Sequence, residues 1–253
     1  MIKKKKVLVV GAAGLLGASL VKELLTNDIC VIAADISLDR LNSSLGSLGI
    51  KLNDTNVFLR KIDLTNVTSV EEMFNQLDGL VGAVNCSYPR NKNYGKKFFE
   101  ITLEDFNENI TLNLGSAFLF MQQCAKYFSR TNEPFSLVNI SSVYGVISPK
   151  FEIYNNTPMT MPAEYAVIKS SLIHLSKYVT KYVGNSSFRV NLVSPGGIID
   201  NQPASFLEAY KEHTMGKGML CVDDILGSIL YLLSDDSKYV NGQNIIVDDG
   251  FTL

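Results

Sequence analysis

Seven short runs of β-branched and other apolar residues alternate along this chain with longer segments of helical periodicity. The runs are almost continuously apolar, which is typical of parallel strands that helices cover on both faces. We predict strands at residues 7–10, 30–34, 57–61, 80–85, 137–140, 189–193 and 244–247. We predict helices at residues 15–25, 70–77, 103–127, 163–182 and 223–233. This order predicts an α/β fold in which one doubly wound parallel sheet is flanked by helices.

The alternation runs through the whole chain, so we interpret residues 1–253 as a single domain. Two segments interrupt it, at residues 146–162 and 198–219, and each follows a predicted strand. Ligands of open α/β sheets bind beyond the carboxyl ends of the strands. We therefore interpret the two segments as insertions that cover the substrate, with ordinary surface loops as the alternative.

Composition narrows the class of partner. The chain has 23 basic and 25 acidic residues, and the net charge of −2 gives no reason to expect nucleic acid or an anionic membrane. Its four cysteines are scattered without metal-ligand spacing, so we predict no metal site.

Lysines at residues 3–6 precede an apolar run, as in a secretory signal, but the glycines of that run favour a solvated flank before a strand. No run is long enough to span a membrane, and we predict a cytoplasmic protein with a small-molecule substrate.

A glycine motif with the spacing G-x-x-G-x-x-G lies between the first predicted strand and the first predicted helix. Its residues are Gly11, Gly14, Leu15, Leu16 and Gly17. Glycine lets the backbone approach a pyrophosphate closely, and the start of a helix offers free N–H groups. Asp35 ends the second strand, where a carboxylate binds adenosine ribose hydroxyls and repels a 2′-phosphate. The pattern predicts a dinucleotide site that prefers NAD, with NADP less favoured.

Further polar residues follow the next two strands. Asp63 and Leu64 come after the third strand, and Asn85 ends the fourth, at the edge where an adenine or ribose would lie. A helix cap is the alternative interpretation of Asp63. Taken with the glycine motif, these residues favour a dinucleotide cleft.

Tyr165 and Lys169 are four residues apart in a predicted helix and therefore lie on one face. A free tyrosine has a pKa of about 10, and a nearby cation lowers it toward values useful in proton transfer. Ser142 follows the fifth strand, where its hydroxyl could polarise a carbonyl oxygen. These residues predict a site for acid–base chemistry at the same edge of the sheet.

In this order the residues resemble the short-chain dehydrogenase/reductase family, over essentially the whole chain. The landmarks beyond the glycine motif are Asp35, Asp63, Asn113, Ser142, Tyr165, Lys169, the turn at residues 194–196 and the closing segment at residues 241–250. The resemblance implies a Rossmann-type fold and hydride transfer between a nicotinamide and a carbonyl or alcohol carbon.

The resemblance also implies roles. Tyr165 would be the general acid/base, Ser142 would steady the substrate oxygen, and Lys169 would hold the nicotinamide ribose and lower the pKa of Tyr165. Asn113 would position a water. Further cofactor contacts implied by the resemblance are Asn85, Tyr165, Lys169, Pro195, Gly196 and Ile198. Because the equivalent helix often packs against a neighbouring subunit, the apolar residues at 112–124 suggest a homotetramer or homodimer.

Some features depart from the usual pattern. The glycine spacing, the string at residues 141–145 and the 23-residue gap from Ser142 to Tyr165 look like the extended, sugar-nucleotide-modifying branch, whereas the length looks like the shorter branch. Residues 158–165 and 194–203 resemble bacterial oxidoreductases assigned to flagellin or surface-glycan modification, in pathways to sugars such as legionaminic acid.

The predicted function is therefore NAD-dependent oxidation or reduction of a hydroxyl or ketone on a sugar or sugar phosphate. An epimerase or dehydratase that recycles NAD within each turnover is one alternative. A non-catalytic NAD-binding scaffold is another.

Overall fold

The computed structural model describes residues 5–51 and 55–253, so Lys3 and Lys4 of the predicted flank lie outside the described residues. Its sheet contains seven strands, which are β1 (Lys6–Val10), β2 (Cys30–Asp35), β3 (Val57–Lys61), β4 (Leu80–Asn85), β5 (Phe135–Ile140), β6 (Phe188–Pro195) and β7 (Asn244–Val247). The helices are α1 (Leu15–Thr26), α2 (Leu38–Ser47), α3 (Val67–Gln76), α4 (Leu103–Ile110), α5 (Ser116–Thr131), α6 (Ala163–Val183), α7 (Ala204–Lys211) and α8 (Asp223–Leu233).

The strand order is β3-β2-β1-β4-β5-β6-β7, and every pairing in it is parallel. The predicted doubly wound parallel sheet in a single domain is confirmed. The order reverses between β1 and β4, where Val10 pairs with Asn85. On the other side of β1, Val10 pairs with Ala34. The ends of three strands are therefore level at the crevice where ligands of such sheets bind.

The two faces of the sheet carry separate apolar cores. In β1, Leu8 and Val10 belong to the core beneath α3, α5 and α6, whereas Val7 and Val9 belong to the core beneath α1, α2 and α8. Successive side chains of a strand point to opposite faces, so both faces of this strand are buried. This explains why the strands are continuously apolar in sequence.

Three helical features differ from the prediction. Helix α2 is absent from the prediction, although Leu38, Leu41, Leu45 and Leu48 recur at helical spacing; Leu41 and Leu45 are buried. It begins at a cap in which Ser37 accepts from the Arg40 N–H. Helix α7 lies inside the segment at 198–219. The single helix predicted at 103–127 is α4 and α5 joined by a π-helical turn at Thr111–Gly115.

Side chains cap the starts of α3 and α4. Thr102 caps α4 by accepting from the Asp105 N–H. Asn66 caps α3 by accepting from the Ser69 N–H.

The apolar residues expected to face a second subunit belong largely to the chain's own core. Ala117, Phe120, Met121 and Cys124 are buried against the sheet, so that basis for an interface is wrong. The apolar side chains exposed on α5 and α6 are instead Phe118, Val167, Tyr178 and Tyr182.

Among the described residues, no helix is long and apolar enough to cross a membrane. The same residues contain no cluster of three or more histidine, cysteine or acidic side chains that could hold a metal ion. The cysteines are free thiols.

Candidate active site

The glycine motif forms a tight turn that leaves no room for larger residues. Gly11 has a φ of +73°, and a Cβ atom there would lie 2.6 Å from the Ser87 backbone nitrogen. A Cβ atom on Gly17 would overlap the Gly11 carbonyl oxygen and would lie 2.9 Å from the Ala12 Cα. Because α1 begins after Gly14 without a side-chain cap, its first N–H groups are available to an anion. The first helical residues are Leu15 and Leu16.

Asp35 joins the end of β2 to this turn. Its side chain is 7% exposed. One carboxylate oxygen accepts from the Ala13 N–H at 3.0 Å, and the other accepts from the Ser37 N–H at 3.3 Å. Two backbone donors therefore fix the carboxylate beside the crevice, where it can meet a ribose.

The residues predicted after β3 and β4 also lie along this edge. The two polar residues among them, Asp63 and Asn85, stabilise local turns. Asp63 Oδ1 accepts from the N–H and the hydroxyl of Thr65 at 2.9 and 2.7 Å, so the alternative that Asp63 caps α3 is wrong. Leu64 is buried in the core. Asn85 Oδ1 accepts from the N–H and the hydroxyl of Ser87.

Ser142, Tyr165 and Lys169 are brought together where β5 ends against α6. The hydroxyl of Ser142 lies close enough to the Tyr165 phenol to affect its pKa. The turn after Ser142 packs so tightly on α6 that a Cβ atom on Gly145 would lie 2.7 Å from the Lys169 carbonyl carbon. The Lys169 ammonium donates to the Ile140 carbonyl at 2.9 Å and lies 5.6 Å from the Tyr165 ring centroid.

Burial dominates the electrostatics of this trio. Burial raises the pKa of Tyr165, and the interaction with the Ser142 hydroxyl acts in the opposite direction. Burial lowers the pKa of Lys169 to about 8. The lowering of the Tyr165 pKa that was expected from Lys169 is therefore not found here, because the ammonium is directed to the Ile140 carbonyl and the phenol is desolvated.

Asn113 lies in the π-helical turn between α4 and α5, a kind of bulge often found at functional sites. Its side-chain amide donates to the Pro89 carbonyl at 3.3 Å. Asn113 thus supports the loop that follows β4, on the side of the cleft that contains Tyr165.

The predicted residues after β6 meet the second covering segment. β6 ends at Pro195, and the Gly196 N–H donates to Val247 in β7. A Cβ atom on Gly196 would lie 2.8 Å from the Tyr210 hydroxyl in α7. Ile198 forms a β-bridge with Leu220, which closes the base of the segment at 198–219.

The two covering segments share one apolar cluster. Tyr144 and Tyr154 from the first segment and its preceding turn pack with Phe206 and Tyr210 of α7, and Phe251 stacks on Tyr210 with ring centroids 4.3 Å apart. Tyr144 and Tyr154 are buried in this cluster, which gives them a packing role.

Sequence reasoning missed a group of residues in the loop between β4 and α4. The ring of Tyr88 packs edge-to-face on the Tyr165 ring, with centroids 5.8 Å apart. Tyr94 packs on Tyr88, and their hydroxyls are hydrogen-bonded. The available signal was the position of the loop directly after a strand that ends at the crevice.

Comparisons with known proteins agree with the fold and indicate the family. The family profile described as enoyl-(acyl carrier protein) reductase matches residues 11–252. The chain is 38% identical to the post-translational flagellin modification protein A of Campylobacter coli, over 100% of both chains. Among solved structures, a short-chain dehydrogenase from Leptospira borgpetersenii with bound NAD+ has a TM-score of 0.87 and 29% identity, covering 99% of this chain and 94% of the other. A 4-hydroxyisoleucine dehydrogenase complexed with NADH has a TM-score of 0.82 and 25% identity, covering 98% and 99%.

Proposed function

The chain belongs to the short-chain dehydrogenase/reductase family of oxidoreductases, and from this premise we propose that it oxidises or reduces a hydroxyl or ketone on a sugar or sugar phosphate with NAD. The observation that carries the proposal is the pairing of the Ser142 hydroxyl with the Tyr165 phenol beside Lys169, at the sheet edge that also holds the glycine turn. The full-length similarity to a flagellin modification protein supports a substrate in surface-glycan or flagellin-glycan synthesis, such as a nonulosonate precursor.

The residues present fit a dinucleotide. The turn at Gly11 and Gly17 has no room for a Cβ atom, the start of α1 is uncapped, and Asp35 presents a fixed carboxylate. These groups would bind the pyrophosphate and the adenosine ribose, with Asp63, Leu64 and Asn85 alongside. The turn at Pro195, Gly196 and Ile198 would contact the nicotinamide end. When bound, the nicotinamide accepts or donates the hydride.

The chain's own residues would handle the proton. Tyr165 would exchange a proton between its hydroxyl oxygen and the substrate oxygen, and Ser142 would donate a hydrogen bond to that same oxygen. Lys169 would bind the ribose, which would place its ammonium nearer the phenol and favour the phenolate. Asn113 would hold a water near Lys169 while it supports the loop after β4.

We also propose that the protein acts in the cytoplasm as a homodimer or homotetramer. The exposed aromatic residues Phe118, Tyr178 and Tyr182 support self-association through α5 and α6.

The proposed reaction is tested by incubating the purified protein with NAD and a panel of sugars, sugar phosphates and nucleotide sugars. We expect NADH to accumulate with at least one of them. Native mass spectrometry of the same preparation separates the alternatives. A cofactor that binds reversibly supports the proposal, whereas NAD retained at full occupancy with no net NADH would indicate an epimerase or dehydratase. Reversible binding with no turnover of any kind would indicate a scaffold.

The preference for NAD is expected to depend on Asp35. We expect NADH to bind at least about tenfold more tightly than NADPH, because a 2′-phosphate would meet the fixed carboxylate and like charges in contact are strongly unfavourable. Asp35→Ser should reduce the difference between NADH and NADPH affinity by increasing NADPH affinity, as measured by fluorescence titration.

Asp39→Asn is the matched control, since it removes one acidic charge from an exposed position in the first turn of α2. It should leave the preference unchanged. A wild-type protein that binds NADPH as tightly as NADH would contradict the role of Asp35.

A further inference from the structure

The loop between β4 and α4 has a net positive charge although the chain as a whole is slightly acidic. Residues 86–102 contain one arginine, three lysines and one acidic residue, Glu100, in a chain of net charge −2. The loop follows the strand that ends at the crevice, and Tyr88 in it contacts Tyr165. A cleft bordered by charges of one sign attracts ligands of the opposite sign.

The loop is held rigidly by a row of polar residues on the following helix. Asp105, Asn109 and Asn113 are spaced four residues apart, and all three are buried. Asn113 donates to the Pro89 carbonyl, and Asn109 exchanges two hydrogen bonds with Asn91, at 2.9 and 3.2 Å.

Asp105 extends this anchoring to the far end of the loop. It accepts from the Asn93 side chain at 2.8 Å and from the Lys96 ammonium at 2.7 Å. The charge of Lys96 is thereby neutralised. These contacts hold the loop in its conformation, and they do not involve another of its cations.

That cation is Arg90. Its guanidinium carbon lies 5.2 Å from the Tyr88 ring centroid and 5.9 Å from that of Tyr94. Two aromatic rings thus orient it by cation–π contact. Within residues 5–51 and 55–253, no carboxylate lies within ion-pair distance of it, and the side chain is exposed.

The position of Arg90 relates it directly to the chemistry. The face of the Tyr88 ring contacts the Arg90 guanidinium, and the same ring packs edge-to-face on the Tyr165 ring. One aromatic ring therefore separates the cation from the phenol proposed to exchange the proton. A guanidinium binds carboxylate and phosphate oxygens with two parallel hydrogen bonds.

We infer that Arg90 selects an anionic substrate by binding a carboxylate or phosphate group while the hydroxyl or ketone of the same molecule lies at Tyr165. This inference rests on the proposed function and narrows it to acidic, phosphorylated or nucleotide-linked sugars. Tyr88 and Tyr94 act as positioning residues for the guanidinium.

The test compares glucose, glucose phosphate, glucuronate and a nucleotide-linked glucose as probes. Binding to the NADH-loaded protein is measured by calorimetry, and turnover with NAD is measured by NADH absorbance. We expect the charged probes to bind more tightly than glucose. Arg90→Gln should weaken their binding about tenfold, as an increase in Kd or KM with little change in kcat. Arg90→Lys should restore part of the affinity, and added salt should weaken binding to the wild type more than to Arg90→Gln.

Lys92→Gln is the matched control, because it removes one positive charge from an exposed position in the same loop. It should leave affinity for the charged probes nearly unchanged. Equal binding of glucose and all charged probes, or an equal loss in both variants, would overturn the inference. A loss of NADH affinity in Arg90→Gln alone would do the same, since it would assign the cation to the cofactor.

The phosphorylated and carboxylated probes distinguish which anion is preferred. If charged probes bind in an Arg90-dependent way but no sugar is ever oxidised, the proposed reaction fails while anion recognition stands. If glucose is oxidised as efficiently as the charged probes, the reaction stands and this inference fails.

Discussion

Tyr165→Phe is expected to reduce turnover by about 10²- to 10⁴-fold, the range that a positioned general acid or base contributes. The change removes only the hydroxyl that lies near Ser142, and it leaves the ring that packs on Tyr88. NADH affinity should therefore stay close to that of the wild type. Steady-state rates with any substrate found in the screen, together with an NADH titration, provide the measurement.

Tyr239→Phe is the matched control, since it makes the same chemical change at a largely exposed position outside α5 and α6. It should retain full activity. If Tyr165→Phe turned over substrate at the wild-type rate, the assignment of the proton-exchanging group would be wrong. A circular dichroism spectrum and a thermal melt of the variant would establish that the loss is not one of folding.

Gly17→Ala is expected to weaken NADH binding by about 5- to 140-fold, because a forced overlap in a packed site costs about 1–3 kcal/mol and each tenfold change in Kd corresponds to about 1.4 kcal/mol. The added methyl would overlap the Gly11 carbonyl oxygen and press on the Ala12 Cα, both of them backbone atoms of the turn. The turn would have to open, and its N–H groups would no longer converge on a pyrophosphate. Fluorescence titration gives the Kd, and chemical denaturation should show a parallel fall in the free energy of unfolding.

The control is Gly227→Ala in α8, where an added Cβ atom meets nothing within 4 Å. This change should raise the free energy of unfolding by about 0.5–1 kcal/mol, since alanine loses less backbone entropy than glycine in a helix. NADH affinity should be unaffected. Similar NADH affinity in both glycine variants would mean that the tight turn is not where the dinucleotide binds.

The strands could be predicted from sequence because burial on both faces imposes a composition that few other elements share. Helix α2 was not predicted: its leucines recur at helical spacing, but the helix has only ten residues and only Leu41 and Leu45 are buried. Similarly, the π-helical turn at Thr111–Gly115 adds a residue to one turn without changing the composition of the helix around it.

The candidate site also contains some contacts that the sequence predicts and one that it does not. The glycine turn, Asp35 and the pair Tyr165 and Lys169 are short-range patterns, and the sequence alone predicts their proximity. The contact between Tyr88 and Tyr165 joins residues 77 positions apart, and its geometry depends on how Asn109 and Asn113 hold the intervening loop. No local pattern contains that information.

The pKa values of Tyr165 and Lys169 depend on features that the sequence does not show. A lysine four residues from a tyrosine suggests a lowered pKa for the phenol. Whether the lysine has that effect depends on desolvation and on which acceptor its ammonium reaches, here the Ile140 carbonyl. Both depend on tertiary packing.

The row formed by Asp105, Asn109 and Asn113 has a practical consequence for engineering. Each of these side chains matches a particular donor or acceptor of the preceding loop. A graft of residues 86–99 with a different conformation would therefore deprive buried polar side chains of the helix of their present partners. We expect the loop and the helix to be exchanged between relatives more successfully as one module, from the end of β4 through Asn113, than the loop alone.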